Sequence, residues 1–315
     1  MVEHVRRFHR RAVVAALPVI AVAVVAGCGS SSQSSGRSAH SGAGGNGTQA
    51  IGAKAPLFAQ LPPNIQKDKT IQLGSSVDYP PFEFYKADGK TLDGFEPALA
   101  SLLEKQLGVT FTWNNASFDT LFSALKSGRY DIVYGATNDT KEREQSFNFV
   151  DYLRSSQGFD VLKGNPKKIK SVDDLCGKTI AAVRGGIQAQ YLASKSKDCT
   201  AHGKAPLTPM VFTGNAEEQL AVREGKADAL LENYPTAVYF AQKSNGILEL
   251  VPGLQVEKQY FGMVVPKSST KLRDALMKAW QAIISDGSYR KVLMEWGLAD
   301  VGLDKPLINA VAAGK

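Results

Sequence analysis

Along most of the chain, short apolar runs alternate with segments in which apolar residues recur every three or four positions. The runs predict β-strands, as at 70–75 and 179–183, and the recurring spacing predicts helices, as at 97–107 and 118–126. Strands that alternate with helices are typical of largely parallel sheets covered by helices on both faces. The pattern therefore predicts an α/β fold that begins near Asp68.

Two stretches of the chain resemble each other. Residues 125–133 and 222–230 each indicate the end of a helix, a glycine that closes it, and an aspartate that leads into an apolar strand. Two similar α/β lobes would produce this repetition, and so would the chance recurrence of a common connection between a helix and a strand. The pattern alone leaves both explanations open.

The N-terminus has a different pattern. Four arginines precede an uncharged apolar run of 15 residues at 12–26. The run has the length of an export signal and is shorter than the ~20 residues that cross a bilayer as a helix. It leads into the sequence VAGC, which ends at Cys28 and resembles the lipobox of bacterial lipoproteins. We expect a signal peptide at 1–27 and a lipid such as palmitate on Cys28; the alternative is an uncleaved membrane helix with a chance cysteine.

A segment rich in serine and glycine follows the apolar run. Seven of the residues at 29–50 are serine and six are glycine. Such a composition cannot bury enough apolar surface to offset the entropy lost on ordering. We therefore predict a flexible tether at 28–67.

The net charge of the chain is +7 and its pI is about 9.1, values that raise the possibility of an anionic partner such as a nucleic acid. Residues 1–27 contribute +3 and residues 28–67 contribute another +3, so the remainder has a net charge of only +1. A groove that follows phosphates needs clustered lysines and arginines. The distribution argues against a nucleic-acid partner.

Three cysteines are present, at positions 28, 176 and 199. If Cys28 carries lipid, the other two either form a disulfide, which an exported compartment permits, or remain separate buried thiols. We predict the Cys176–Cys199 disulfide. Two cysteines without further ligands do not indicate a metal site, and His202 is the only histidine of the predicted body. We expect neither a metal, nor a cofactor, nor an enzymatic activity.

An ordered set of motifs in the predicted body resembles the family-3 extracellular solute-binding proteins, which bind polar amino acids for ABC importers. The resemblance extends from about Thr70 to Leu298. The motifs are VDYPPFEF at 77–84, DGFE at 93–96, FDTL at 118–121, DTKER at 139–143, DDLCGK at 173–178 and YRK at 289–291.

The resemblance implies a periplasmic-binding-protein type II fold. In that fold two lobes, each a mostly parallel sheet flanked by helices, are joined by two hinge strands. Lobe 1 would comprise residues 68–155 and 262–300, and lobe 2 would comprise residues 157–260. Residues 301–315 would form a C-terminal tail.

The resemblance also implies a function. A receptor of this kind is exported and binds an amino acid, or a close relative of one, in the cleft between the lobes. We expect it to be a monomer, anchored through Cys28 to the outer face of the cell membrane or to the periplasmic side of a membrane, that delivers its ligand to an ABC permease. The alternatives are a receptor that signals to a membrane partner and a same-fold enzyme such as a dehydratase or a lyase.

Twelve residues are candidates for the ligand-binding site. In the family, an arginine at the place of Arg143 clamps the α-carboxylate of the ligand, a role that suits the guanidinium fork. Tyr79 and Phe118 match an aromatic pair that encloses the ligand side chain. The other candidates are Ser76; Gly135, Ala136 and Asn138 after a predicted strand; Arg184, Gly186, Ile187 and Gln188 at a predicted helix start; and Asn233.

Three of these positions depart from the family pattern. Asn233 replaces the usual aspartate that holds the α-ammonium group, Ser76 replaces an acid that often meets a basic side chain, and Ile187 replaces a hydroxyl residue. Because Asn233 and Ser76 are uncharged, we expect a ligand that is not strongly cationic. Glu83 or Glu232 could compensate, although alternation along a strand points Glu232 away from the site.

Overall fold

The computed structural model of this protein describes residues 52–314. The predicted signal peptide, the lipidation of Cys28 and the greater part of the predicted tether lie outside the described residues. Within residues 52–314, no helix is long and apolar enough to cross a membrane.

Strands and helices alternate as the hydrophobic pattern predicts, and β1, α3 and β8 match their predicted bounds. The strands are β1 (Thr70–Ser75), β2 (Asp78–Tyr79), β3 (Glu83–Tyr85), β4 (Leu92–Asp93), β5 (Thr110–Asn115), β6 (Ile132–Val133), β7 (Phe147–Leu162), β8 (Thr179–Val183), β9 (Thr208–Phe212), β10 (Ala229–Asn233), β11 (Leu248–Pro266) and β12 (Gly302–Ile308). The helices are α1 (Pro63–Asp68), α2 (Phe95–Leu107), α3 (Phe118–Lys126), α4 (Lys141–Ser146), α5 (Ile187–Ala201), α6 (Asn215–Arg223), α7 (Tyr234–Lys243), α8 (Thr270–Ser285) and α9 (Ser288–Glu295).

The main sheet of the described residues has the strand order β5-β1-β6-β11-β7-β10-β8-β9, and β12 pairs with β7. Strands β5, β1 and β6 are parallel in one half, and β10, β8 and β9 are parallel in the other. Between them, β7 and β11 are antiparallel to each other and have 16 and 19 residues. The protein is therefore an α/β structure of two lobes joined by two long strands.

The two long strands are irregular where they pass from one half of the sheet to the other. The pairing of β11 with β7 changes register between Leu250 and Gln255, between Val256 and Gln259, and again after Phe261. The predicted crossing points, near 155–158 and 260–262, lie within these strands. The exact bounds of the two lobes remain a prediction.

Each half of the sheet packs against its own apolar core. In lobe 1, Trp280 of α8 stacks on Tyr152 of β7 with 4.5 Å between ring centroids, and Leu73 of β1 is buried beside them. In lobe 2, Phe159 and Leu231 belong to a separate core. Because the halves have separate cores, the space between them is available for a site.

The repeated helix–strand connection occurs once in each lobe. In lobe 1, the Asp131 carboxylate accepts a hydrogen bond of 2.8 Å from the backbone N–H of Gln72. In lobe 2, Asp228 accepts a bond of 2.9 Å from the N–H of Thr179. In both cases the aspartate immediately precedes one strand (β6 or β10) and accepts a hydrogen bond from the strand beside it in the sheet (β1 or β8). The repetition therefore follows from two similar lobes.

The predicted disulfide between Cys176 and Cys199 is confirmed, with 5.6 Å between the two Cα atoms. It links the segment before β8 to α5. The pairing therefore fastens the helix that begins at Ile187 to the sheet of lobe 2.

Two terminal segments differ from expectation. Residues 52–67, expected to belong to the tether, pack on the core of lobe 1 because Phe58, Leu61 and Ile65 bury their side chains there. The C-terminal tail is also built into the fold, since β12 pairs with β7. Beyond β12, the backbone N–H of Ala310 donates to Asp151 at 3.0 Å and that of Ala312 donates to Glu144 at 3.0 Å.

Candidate ligand-binding site

A cavity lies between the two lobes. Its walls come from the segments that follow β1 and β6 in lobe 1, and from the ends of β8 and β10 and the starts of α5 and α6 in lobe 2. This is the place where α/β sheets bind ligands, beyond the strand ends. The lining residues are Ser76, Tyr79, Glu83, Phe118, Gly135, Ala136, Asn138, Val183, Gly186, Gln188, Asn215, Glu232 and Asn233.

Nine of the twelve candidate residues line this cavity, and Arg143, Arg184 and Ile187 do not. The Arg143 guanidinium donates to the carbonyl oxygen of Asn138 at 2.7 Å and to that of Gly185 at 3.0 Å. Burial lowers the pKa of Arg143 to about 10, so the group is charged at neutral pH. Arg184 is exposed, and Ile187 is buried outside the lining.

The two lobes touch through polar contacts around the cavity. The Tyr79 hydroxyl of lobe 1 donates to the Glu232 carboxyl and accepts from the backbone N–H of Asn233 at 3.1 Å. Asp78 of lobe 1 accepts from the backbone N–H of Asn215 at 3.0 Å and from its side-chain amide at 2.7 Å. With the bond from Arg143 to Gly185, these contacts hold the lobes in a closed arrangement.

The turn after β6 requires a small residue where it approaches the cavity. Gly135 has φ +145°, and a Cβ at this position would lie 2.7 Å from Oε1 of Glu83 and still closer to the Ser75 hydroxyl. Ala136, the next residue, has φ +44°. Glycine permits both the backbone conformation and the close approach, and so brings the Asn138 side chain to the cavity wall.

A buried pair of carboxyl groups lies on the lobe 1 side. Glu83 lines the cavity and Glu96 lies behind it, and both are fully buried. Burial, and then the charge of Glu96, raises the pKa of Glu83 well above its usual range. Burial raises the pKa of Glu96 to about 7, although Glu96 accepts bonds from Tyr152 and from the N–H of Ala136.

A second buried pair lies on the lobe 2 side. Glu232 lines the cavity, and Glu218 of α6 is a second buried acid, near enough for the two charges to affect each other's pKa. Burial is the main cause that raises the pKa of both groups. Burial and the nearby Glu232 also raise the pKa of Asp160 on β7 to about 8. None of the ion pairs among residues 52–314 involves any of these carboxyl groups.

The cavity thus combines acidic side chains with uncharged hydrogen-bond donors. No lysine, arginine or histidine is among the described residues that line it. At the lobe 2 wall, α5 begins after Gly186 without a side-chain cap, so its first N–H groups are free to bind an anion. No group of histidine, cysteine or acidic residues in the described part of the chain is arranged to hold a metal ion.

Four lining residues were not among the twelve candidates: Glu83, Val183, Asn215 and Glu232. Strand alternation suggested that Glu232 points away, but both it and Asn233 line the cavity. Asn233 is both the last residue of β10 and the N-cap of α7, so the alternation of the strand ends at this residue. A polar pair at the end of a buried strand is the sequence signal that indicates this arrangement.

Two lobes that close over a polar cavity define the architecture of a solute-binding protein. Residues 71–299 match the family model of the bacterial extracellular solute-binding proteins, family 3. This chain therefore belongs to that family.

Individual relatives support the same class. The arginine-binding protein ArgT of Corynebacterium glutamicum is 27% identical over 80% of this chain and 82% of its own length. The L-cystine-binding protein TcyJ of Escherichia coli is 28% identical over 75% of this chain and 86% of its own. The structure of an ancestral arginine-binding protein bound to arginine has a TM-score of 0.66 and 29% identity, covering 72% of this chain and 98% of that one. All three are named as binding proteins.

Proposed function

We propose that this protein is an extracytoplasmic receptor that binds an amino acid between its two lobes and delivers it to an ABC permease for import. The observation that carries this proposal is the closed interlobe cavity, whose walls complement both ends of an amino acid. The receptor acts by capture and release, and not as an enzyme. The names of the relatives support this role.

The proposed ligand has three points of attachment. Its α-carboxylate lies at the start of α5, beside the unpaired side-chain amide of Asn138. Its ammonium group and any further cationic group face Glu83 and Glu232. Its side chain lies against Phe118 and the ring of Tyr79, which offer flat apolar faces.

This lining favours a cationic amino acid, in contrast to the expectation from Asn233 and Ser76. The charge that those two positions lack is present one residue earlier in β10, at Glu232, and across the cavity at Glu83. The arginine-binding relatives favour the same ligand class. The predicted clamp by Arg143 stays part of the proposal, and it requires the guanidinium to exchange one of its two carbonyl partners for the carboxylate.

The lipid anchor belongs to the same proposal. Lipid on Cys28 and the serine- and glycine-rich segment after it would keep a monomeric receptor close to its permease. Confinement of this kind raises the effective concentration of the receptor at its partner. Mass spectrometry of the membrane-extracted protein tests for the anchor, and Cys28→Ala should release the protein from membranes.

A thermal-shift screen of the purified protein against the amino acids tests ligand binding. A ligand at a hundred times its dissociation constant stabilises the folded state by about 2.7 kcal/mol and raises the Tm. Arg143→Ala should abolish the shift, whereas Arg184→Ala, at an exposed arginine outside the lining, should preserve it. If no amino acid raises the Tm, the proposed function is wrong; if Arg143→Ala responds like the parent, only the clamp is wrong.

A further inference from the structure

We propose that Glu232, with Glu218 behind it, selects a cationic group of the ligand by exchanging a proton for that group. This inference rests on the proposed function, because it concerns the chemistry of the same cavity. It makes Glu232 a residue that determines specificity and Glu218 a residue that adjusts the proton affinity of Glu232.

The geometry at the end of β10 brings two acids together without a base. Glu232 is 2% exposed, and the Tyr79 hydroxyl is its donor from the opposite lobe. Glu218 is completely buried on α6, and neither of its carboxyl oxygens has a hydrogen-bond donor among the described residues. The nearby Glu232 is the acid whose charge contributes most to raising the pKa of Glu218, after burial itself.

Two other buried atoms in the cavity wall also lack a partner, and they indicate that a ligand belongs there. The side-chain nitrogen of Asn138 is a donor without an acceptor, and Oε2 of Glu83 is an acceptor without a donor. Both residues line the cavity and are at most 3% exposed. Because an unsatisfied buried polar group is costly, a ligand with both a cationic and an anionic end would satisfy this lining.

Among residues 52–314, the titratable groups found near Glu232 are acids and a phenol. Tyr79 approaches from β2, Glu218 from α6 and Asp160 from β7, and Asp78 contributes a further negative charge nearby. An isolated buried carboxylate is costly, so burial raises the pKa of Glu232 and favours its protonated form while no cation is present. A cationic group of the ligand supplies the missing counter-charge.

The exchange has a simple balance. The O–H bond of the Glu232 carboxyl breaks, the proton passes to a solvent base, and the carboxylate that remains pairs with the ammonium or guanidinium group of the ligand. The proton of Glu218 stays on Glu218. One proton is released for each ligand bound.

Isothermal titration calorimetry with L-arginine as the probe measures this release. The observed heat should differ between phosphate and Tris buffers at the same pH, and the difference should approach one proton per arginine as the pH falls below the pKa of Glu232 in the empty site. Below the pKa of Glu232, the affinity should rise by up to ~tenfold for each unit of pH, because binding then releases one proton.

Substitutions of the two acids test which carboxyl group releases the proton. Glu232→Gln should abolish the buffer-dependent heat and weaken arginine binding by roughly ten- to a hundredfold, the usual size of a lost bond to a charged group. Glu218→Gln should keep arginine binding but move its pH dependence to lower pH, because an amide donor there stabilises the Glu232 carboxylate. The matched control is Glu217→Gln, a neighbouring exposed glutamate of α6 outside the lining, which should leave both the affinity and the proton release unchanged.

The outcomes separate this inference from the proposed function. If arginine binds without proton release, or if Glu232→Gln still releases the proton, the inference is overturned and the proposed function stands. If another amino acid binds and arginine does not, the inference is also overturned. If no amino acid binds, both fail. The Tm without ligand shows whether Glu232→Gln folds. If it does not fold, the pH dependence of arginine binding in Glu218→Gln and in the parent protein tests the inference instead.

Discussion

Asp151 of β7 offers a direct measure of what buried acids cost this fold. It is completely buried beside Asp139, and one of its oxygens accepts a bond from the N–H of Ala310 while the other has no donor. Burial raises the pKa of Asp151 to about 7. Its pKa in an unfolded chain is about 3.9. Since the folded state binds this proton more tightly, the resulting stability is present at low pH and is lost as the pH rises towards 7.

The substitution Asp151→Asn removes this dependence and retains the acceptor for Ala310. Between pH 5 and the pKa near 7, each unit of pH costs the folded parent about 1.4 kcal/mol. The advantage of the variant should therefore be about 3 kcal/mol larger at pH 8 than at pH 5. Urea denaturation at the two pH values measures the difference.

The matched control for this experiment is Asp304→Asn, at an exposed acid of β12. Its effect on the free energy of unfolding should be within about 0.5 kcal/mol at both pH values, as for most surface substitutions. If the advantage of Asp151→Asn is equal at pH 5 and pH 8, the Asp151 carboxyl does not take up a proton on folding.

Two further substitutions test how the cavity is built. Tyr79→Phe removes the hydroxyl that joins Glu232 to the N–H of Asn233, so ligand affinity should fall roughly tenfold in calorimetry while the folded lobes persist; an unchanged affinity would show that this contact does not support closure. Gly135→Ala places a Cβ 2.7 Å from Oε1 of Glu83, whereas Gly128→Ala, also at positive φ, meets nothing within 4 Å. Both should lose about 1–3 kcal/mol from backbone strain, but only Gly135→Ala forces the side chains of Ser75 and Glu83 to move and should also lose ligand binding; equal binding losses would contradict the argument from close approach.

The sequence predicted the regular elements well where one local signal dominated. Residues 118–126 have helical spacing and end before Ser127 and Gly128, and they form α3 with the predicted bounds. The continuity of β7 was missed because Ser155, Ser156 and Gln157 interrupt the apolar pattern. These polar residues are nonetheless buried, since they lie where the strand passes between the lobes.

The site was predicted where a turn or a helix start fixed the position of a residue, as for Gly135 and Gln188. The site was missed at Glu232, where the alternation of side chains along a strand predicted the wrong direction. That alternation ends there, because the chain passes from β10 into α7 within one residue. The docking of the C-terminus could not be predicted, because its donors are the backbone N–H groups of Ala310 and Ala312. Every residue carries such a group, so no residue type indicates which of them bind.

The buried acids lie on both sides of the cavity, in lobe 1 and in lobe 2, so a cationic ligand that contacts both sides favours the closed form. A ligand drives closure only through contacts that it gains in the closed state. In lobe 1 it meets Glu83 and Asn138, and only closure brings the start of α5 and Glu232 of lobe 2 to the same molecule. Micromolar binding corresponds to about 8 kcal/mol. A cationic ligand held by lobe 1 pairs with Glu232 of lobe 2 only in the closed form, so this pairing contributes to the free energy of closure. Proton exchange at Glu232 and lobe closure are therefore expected to be one coupled event.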